Sequence, residues 1–413
     1  LVVGGLLADV ASWRVGFLMN VPIGAALLIA TLVSVRETPR TGGRFDVAGA
    51  VTSTLGMTAL VYGITRTADA GWTDPVALTS ITAGLVVIAG FIVIEWRAPQ
   101  PILPLRVLAD PVRGGAFLAR MLFAGAIFGY FFFASQYMQG VLGSSPLLAG
   151  LGFLPMTAVQ FALSLTVPRL TRRYGNGTLV ATGLAITLVG MIWISFVSPD
   201  SDYWTALALP MLLLGAGQGI GFAPLTAAGV TRIESRDAGA AAGTVNVAHQ
   251  LGGALGVSVM VAVATAGITS TDPASIAAEA STGLATGAVL LALALTSALL
   301  LIVRRHRGQQ AAHPAIAAAL PDLAAYDTIL LGSPVWNVQA PMIMRTFVES
   351  VDLTGKTVHP FVTYAVSRMG RVRDDYAEML PDAIVTEGLA IEGETVRDAR
   401  PDIQRWLQAI GGV

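Results

Sequence analysis

The sequence predicts an all-α polytopic membrane protein that carries a small α/β partial domain at its carboxyl end. Three observations lead there: a series of long apolar stretches, an uneven distribution of Arg between the loops joining them, and a change of composition after Val303. Hydrophobic residues make up 54% of the chain and charged residues 12%, against about a quarter charged in a typical soluble domain. Abundant Gly and Ala suit helices that pack closely in lipid.

A helix needs about twenty apolar residues to cross a hydrocarbon core about 30 Å thick. Nine stretches free of Asp, Glu, Lys and Arg meet or approach that length: Val15–Val35, Val47–Thr65, Pro75–Ile94, Met121–Gly143, Pro146–Pro168, Thr178–Ser198, Tyr203–Thr231, Ala238–Thr271 and Ser281–Val303. The fourth is expected to begin before Met121, with Arg120 in its first turns. Leu1–Ala8 reads as the tail of a tenth helix that begins upstream, and the opening at Leu1 rather than Met reads as a fragment. Leu1–Leu7 lacks the basic flank of a signal peptide.

Alternate loops give the orientation. One set carries Arg36, Arg40 and Arg44; Arg97, Arg106 and Arg113; Arg169, Arg172 and Arg173; Arg232 and Arg236; then Arg304, Arg305 and Arg307. The other carries Arg14 and Arg66 beside Asp9, Asp69, Asp74, Asp200, Asp202, Asp272 and Glu279. The positive-inside rule then puts the Arg-rich loops, and everything after Arg304, in the cytoplasm of a multi-pass cell-membrane protein.

Three segments follow from composition: a membrane domain over 1–307, an Ala/Gln linker over 308–319, and a soluble cytoplasmic tail over 320–413. In the tail, Thr328–Gly332 reads as a strand ending at a Ser-Pro breaker, Pro341–Ser350 as a helix and Thr357–Thr363 as a second strand. Ala383–Gly388 is a candidate third, and Val396–Ile410 an amphipathic closing helix. Strands alternating with helices predict a parallel sheet.

The same composition excludes several classes. A net charge of −1 offers no basic excess for a nucleic-acid partner. With no cysteine, disulfides, thiolate metal sites and cysteine nucleophiles are ruled out. His249, His306, His313 and His359 show no metal-ligand spacing. No enzyme, metal or catalytic residue is expected.

Several local patterns over Leu1–Arg307 resemble the fourteen-span drug:proton antiporters of the major facilitator superfamily. Trp13-Arg14-x-x-Phe17-x-x-Asn20-x-Pro22-x-Gly24 is similar to the turn between that family's fifth and sixth helices, and Gly4-Gly5 to the end of its antiporter motif. Phe45-Asp46-x-x-Gly49 resembles the entry to the seventh helix. Tyr137-Met138-Gln139 and Gly143–Gly150 resemble the ninth-to-tenth connection. Pro168-x-Leu170-x-Arg172-Arg173-x-Gly175 resembles the cytoplasmic loop signature, with Pro168 and Arg172 replacing the usual Gly and acid. Asn246-x-x-His249-Gln250-Leu251-Gly252-Gly253 resembles the thirteenth helix. The resemblance implies a truncated exporter, lacking about four helices and most of the fifth, that exchanges protons for hydrophobic drug-like molecules. It also implies that the proton-carrying acids belong to the missing bundle, with a partner chain as one source of the missing helices. Asp46 and Glu95 fall at helix ends, and no acid falls mid-membrane.

Gln136, Gln139, Gln160, Gln218, Asn246, His249 and Gln250 are candidates for a substrate path because polar groups in apolar spans mark such paths. Their plain alternative is hydrogen bonding between helices, worth about 1 kcal/mol or less each. Arg120 is a further path candidate, with snorkelling to the cytoplasmic face the favoured expectation.

The tail, Asp322–Ala409, resembles the C-terminal half of a flavodoxin through Tyr326–Trp336, Ala340-Pro341, Thr346–Glu349, Gly355-Lys356-Thr357 and Gly388-Leu389. That resemblance implies two flavin-ring loops holding Ser333, Pro334, Trp336 and Asn337, and Tyr364, Arg368 and Gly370. The phosphate loop of that family would precede Leu320, where an apolar helix stands instead. No cofactor is therefore expected, and FMN only if the missing half is supplied. Two alternatives stay open: a flavodoxin-like electron-transfer module tethered to the membrane, and a non-functional fusion of two gene fragments.

Overall fold

The computed structural model describes residues 2–34, 46–231, 233, 237–266, 270, 272–303, 316, 320–335, 339–365 and 367–411. It divides into two compact units, one of Leu1–Leu163 with Ala181–Ile302, the other of Ser164–Val180 with Val303–Val413.

Among the described residues, nine helical segments are long and apolar enough to cross a membrane: Trp13–Ser34, Val47–Thr67, Pro75–Arg97, Pro111–Gly140, Pro146–Ser164, Asn176–Ile194, Trp204–Gly229, Ala238–Ala264 and Pro273–Val303. They correspond one for one to the nine apolar stretches. The chain is a multi-pass membrane protein. Ends differ where a charge lies inside a helix. The fourth segment begins at Pro111 and takes in Arg113 and Arg120, and the last begins at Pro273 and takes in Glu279. In both cases Pro in the first turn follows an Asp cap, Asp110 and Asp272, whose side chains accept backbone N–H groups.

In chain order the helices are α1 (Val2–Val10), α2 (Trp13–Leu18), α3 (Asn20–Ser34), α4 (Val47–Ala70), α5 (Pro75–Arg97), α6 (Leu105–Ala109), α7 (Pro111–Gly140), α8 (Pro146–Leu151), α9 (Leu154–Ser164), α10 (Val167–Tyr174), α11 (Asn176–Ile194), α12 (Leu209–Gly229), α13 (Ala238–Ala264) and α14 (Pro273–Ser297). Short π-helical turns, Trp204–Ala208 and Ala298–Val303, extend α12 and α14. The first span is broken at Met19 into α2 and α3, and the fifth at Gly152-Phe153 into α8 and α9. Within the first unit α7 is central and packs on α12, α13 and α14, while α4 pairs with α5 and touches α13.

Glycine makes this packing close. A Cβ on Gly125 of α7 would lie 2.8 Å from Gly252 O and 3.0 Å from Gly256 Cα of α13, and one on Gly256 would collide with Gly125 Cα. The α11–α12 contact repeats the device, since a Cβ on Gly183 would lie 2.7 Å from Gly221 N. Backbone meets backbone at both crossings, as small residues allow in lipid.

Loop contacts pair the ends. The Arg106 guanidinium donates to Asp237 through two 2.8 Å bonds, and Arg113 donates to Val107 O, Arg106 O and Thr231 O. The 98–110 and 231–237 loops, both of the Arg-rich set, thus share one end of the unit. At the other set's loops Tyr203 Oη donates to Gly152 O and Tyr137 Oη to Ser198 O, at 2.8 and 2.6 Å. Arg36, Arg40, Arg44, Arg232, Arg236, Arg304, Arg305 and Arg307 lie outside the described residues.

The carboxyl-terminal region forms a parallel α/β sheet: β1 (Thr328–Pro334), α15 (Met342–Ser350), β2 (Thr357–Tyr364), α16 (Val372–Met379), β3 (Ile384–Val385), β4 (Leu389–Glu392), a 3-10 turn (Gly393–Asp398) and α17 (Arg400–Ala409). β2 pairs with β1 in the register Thr328↔Thr357 through Pro334↔Thr363, and with β3 and then β4 along its other edge. Sequence reasoning ended the first strand at Gly332. The strand instead runs through Ser333 and Pro334, because a proline at the last position of an edge strand forfeits no needed N–H. The third strand is split by Gly388 at φ +75°, and the closing helix begins only at Arg400. α16 was not foreseen. The core is Ile329, Leu331, Val348, Leu353, Val358, Val362, Val372, Tyr376 and Leu380, with Ile329 and Leu331 inward and Leu330 outward by strand alternation.

Candidate functional site

Of the intramembrane polar residues, Arg120 and His249 come together. Arg120 is the tenth residue of α7, so its Cα sits about 13 Å along the axis from the Arg-rich end at 1.5 Å per residue. The side chain is 5% exposed. Its Cζ lies 3.7 Å from the centre of the Phe222 ring, and Nη1 donates to Thr226 Oγ1 at 3.2 Å and Phe222 O at 3.4 Å. Snorkelling to the membrane face was the expectation. The guanidinium turns into the bundle instead, because the Phe222 face and the α12 oxygens supply cation–π and hydrogen-bond partners there.

α13 supplies the third wall. The His249 ring stands edge-on to Phe128 of α7, centroids 5.4 Å apart, and to Phe222 of α12 at 6.0 Å. His249 Nδ1 and Arg120 Nε are both sealed from solvent without a hydrogen-bond partner among the described residues. Asn246, His249 and Gln250 are one helical turn apart and share a face, with Asn246 and Gln250 exposed. Phe128 and Phe222, 43% and 37% exposed, leave the cluster open on one side.

The other candidates do not join it. Gln218 is buried and donates to Met156 Sδ at 3.5 Å, a packing contact between α12 and α9. Gln139 bonds back to Ser135 on its own helix, Gln136 is exposed and Gln160 is half-buried. Sequence reasoning did not single out Phe128, Phe222 or Thr226, since apolar and hydroxyl residues carry no signal in an apolar span.

A second polar spot lies at the Arg-rich end. Asp46 caps α4, accepting from Gly49 N at 2.8 Å, and Glu95 of α5, 3% exposed, accepts from Leu103 N at 2.9 Å. Their remaining oxygens, Asp46 Oδ2 and Glu95 Oε1, have no partner among the described residues. Both face Gly49, where each would lie 2.6 Å from an added Cβ. Gly49 is the residue that leaves them room.

In the tail, the carboxyl ends of β1 and β2 put Ser333, Pro334 and Tyr364 side by side, and Arg368 and Gly370 adopt φ of +50° and +56° in the following loop. Trp336 and Asn337 lie outside the described residues. Ser333 Oγ is buried beside the Tyr376 hydroxyl. The cleft beside Tyr364, about 330 Å³, is lined by Glu392, Asp398 and Asp402. None of the residues lining this cleft is a cation that would receive the phosphate of FMN, and no chemistry is derived through a flavin. Among the described residues no cluster of His, Asp and Glu could hold a metal.

The Flavodoxin family model matches residues 305–410, and that of the Major Facilitator Superfamily matches residues 1–257. The Cephamycin export protein CmcT of Amycolatopsis lactamdurans is 36% identical over 67% of this chain and 58% of its own length. The Puromycin resistance protein pur8 of Streptomyces alboniger is 35% identical over 64% and 53%, and the Tetracenomycin C resistance and export protein of Streptomyces glaucescens 32% identical over 63% and 48%. The chain thus spans about half the length of the curated relatives it matches. With nine helices able to cross a membrane among the described residues and a family match over more than half its length, the chain belongs to the Major Facilitator Superfamily, whose members are transporters and not enzymes.

Proposed function

We propose that residues 1–307 are the later portion of a proton-coupled exporter of hydrophobic drug-like molecules, of the fourteen-span type, beginning at the end of the fifth helix. The observation that carries this reading is the similarity to three proteins named for antibiotic export or resistance. Exporters of this architecture work as two bundles rocking about a midplane site. α7, α12 and α13 line one side of that site, and helices outside this sequence line the other. Residues 308–319 form a linker, and the tail from 320 onward is cytoplasmic, as the Arg bias favours. The proton-carrying acids belong to those other helices.

The test is transport. The chain, alone and co-expressed with the first helices of a relative, is reconstituted in proteoliposomes with an imposed pH gradient. Dye or drug movement that follows the gradient in the completed assembly supports the reading. Movement indifferent to the gradient removes the proton coupling, and none in either form removes the export function.

A further inference from the structure

Arg120 is a cation inside an apolar bundle with no anion beside it among the described residues. Most described acids of its unit, among them Asp46, Asp74, Glu95, Asp110, Asp202, Asp237 and Asp272, sit at or near helix ends, Glu279 lies two turns inside α14, and none pairs with Arg120. Placing an Arg at the centre of a membrane helix costs about 2.5–3.5 kcal/mol, and its guanidinium stays charged with five N–H donors to satisfy. Phe222 O and Thr226 Oγ1 are neutral and engage only Nη1. Among the described residues Nε is sealed off without an acceptor, and its neighbour His249 holds a second nitrogen without a partner, Nδ1. Around these groups stand the Phe128 and Phe222 rings on the open side.

We propose that this cluster is an anion subsite in which Arg120 binds the carboxylate of an organic acid while Phe128 and Phe222 hold its aromatic or apolar body. A carboxylate supplies the missing countercharge and matches the fork of a guanidinium with two parallel hydrogen bonds. The exposed ring faces offer apolar contact to the rest of the molecule. The substrate class is therefore amphiphilic acids rather than lipophilic cations. This deepens the exporter reading and rests on it.

The test is binding, which does not require transport. The full chain in nanodiscs of zwitterionic lipid is titrated with 2-naphthoate, its methyl ester and 2-naphthylmethylammonium, followed by probe fluorescence anisotropy. The expected result is acid binding at least tenfold tighter than either the ester or the cation. Arg120→Gln should erase that preference while leaving ester binding within about twofold, and Arg120→Lys should keep part of it. If Arg120→Gln fails to fold, the acid-to-ester ratio in the unaltered chain and in Arg120→Lys still decides. Equal binding of acid and ester, a preference for the cation, or no binding of any probe overturns the subsite. Acid-selective, Arg120-dependent binding without gradient-driven transport leaves the subsite standing and removes the export function. Coupled export of cations without acid preference does the reverse.

Discussion

Arg106 and Asp237 stand 131 positions apart in the chain, yet they meet through two parallel hydrogen bonds of 2.8 Å. The Asp237 side chain is 7% exposed and the Arg106 side chain 54%. This fork ties α6 to the start of α13, next to the apolar cluster of Val107, Phe117, Ala241, Val245 and Ala248. Replacing Asp237 by Asn keeps the shape and removes the charge. Hydrogen bonds to charged groups contribute about 1.5–3 kcal/mol, less where one partner is open to solvent. Asp237→Asn should therefore lower stability by about 1–2 kcal/mol, read as an earlier midpoint in an SDS titration of the detergent-solubilised chain. An unchanged midpoint would show that the fork contributes nothing.

The two kinds of helix glycine should part company under the same substitution. Gly256→Ala drives a methyl into Gly125 Cα, whereas Gly243, also on α13, has open space where its Cβ would be. Overpacking costs about 1–3 kcal/mol, while Ala in place of an exposed helical Gly gains about 0.5–1 kcal/mol. Opposite signs are expected in the thermal stability of the two variants. Matching signs would refute the backbone contact.

Glu95 and Asp46 each turn an idle oxygen toward Gly49. Glu95→Gln gives that space a donor and keeps an oxygen for Leu103 N, so stability should hold or rise by about 1 kcal/mol. Glu95→Ala loses the Leu103 bond and should destabilise. The comparison is made by thermal denaturation in detergent, and a Gln variant weaker than the Ala variant would reject this account.

Asp375 makes the tail sensitive to pH. Burial raises its carboxyl to about 6 from an ordinary 3.8, with Arg371 opposing and Glu378 adding to the rise. Below 3.8 both folded and unfolded forms carry the proton, so no penalty exists. Between there and about 6 the unfolded chain loses its proton first, and stability falls as pH rises. Asp375→Asn should remove that slope and protect β2 amides better near pH 7. Hydrogen exchange of wild type and variant, compared at each pH on the full chain, reads the difference. A larger gap at pH 4 than at pH 7 would contradict the sign.

Most of the membrane fold was legible because lipid enforces one rule: each crossing segment satisfies its own backbone and sheds charge. At the fourth span the rule misplaced the start because two charges are satisfied within the protein. Arg113 is buried because three carbonyls receive it, and Arg120 because Phe222 does. No local pattern could show that. The grouping of Arg120 with His249 and not with Gln218 depends on helix rotation, which a near-uniformly apolar segment leaves undetermined. In the tail, Leu330 between Ile329 and Leu331 gave no alternation to read, and α16 was missed because charged residues fill half of Val372–Met379.

β1 has β2 as its one neighbour in the described sheet. Its far side presents a ladder of amide and carbonyl groups beside Leu330, 46% exposed, an invitation for another extended segment to dock. Severed from the membrane and concentrated, the carboxyl-terminal region would be drawn toward self-pairing and turbidity.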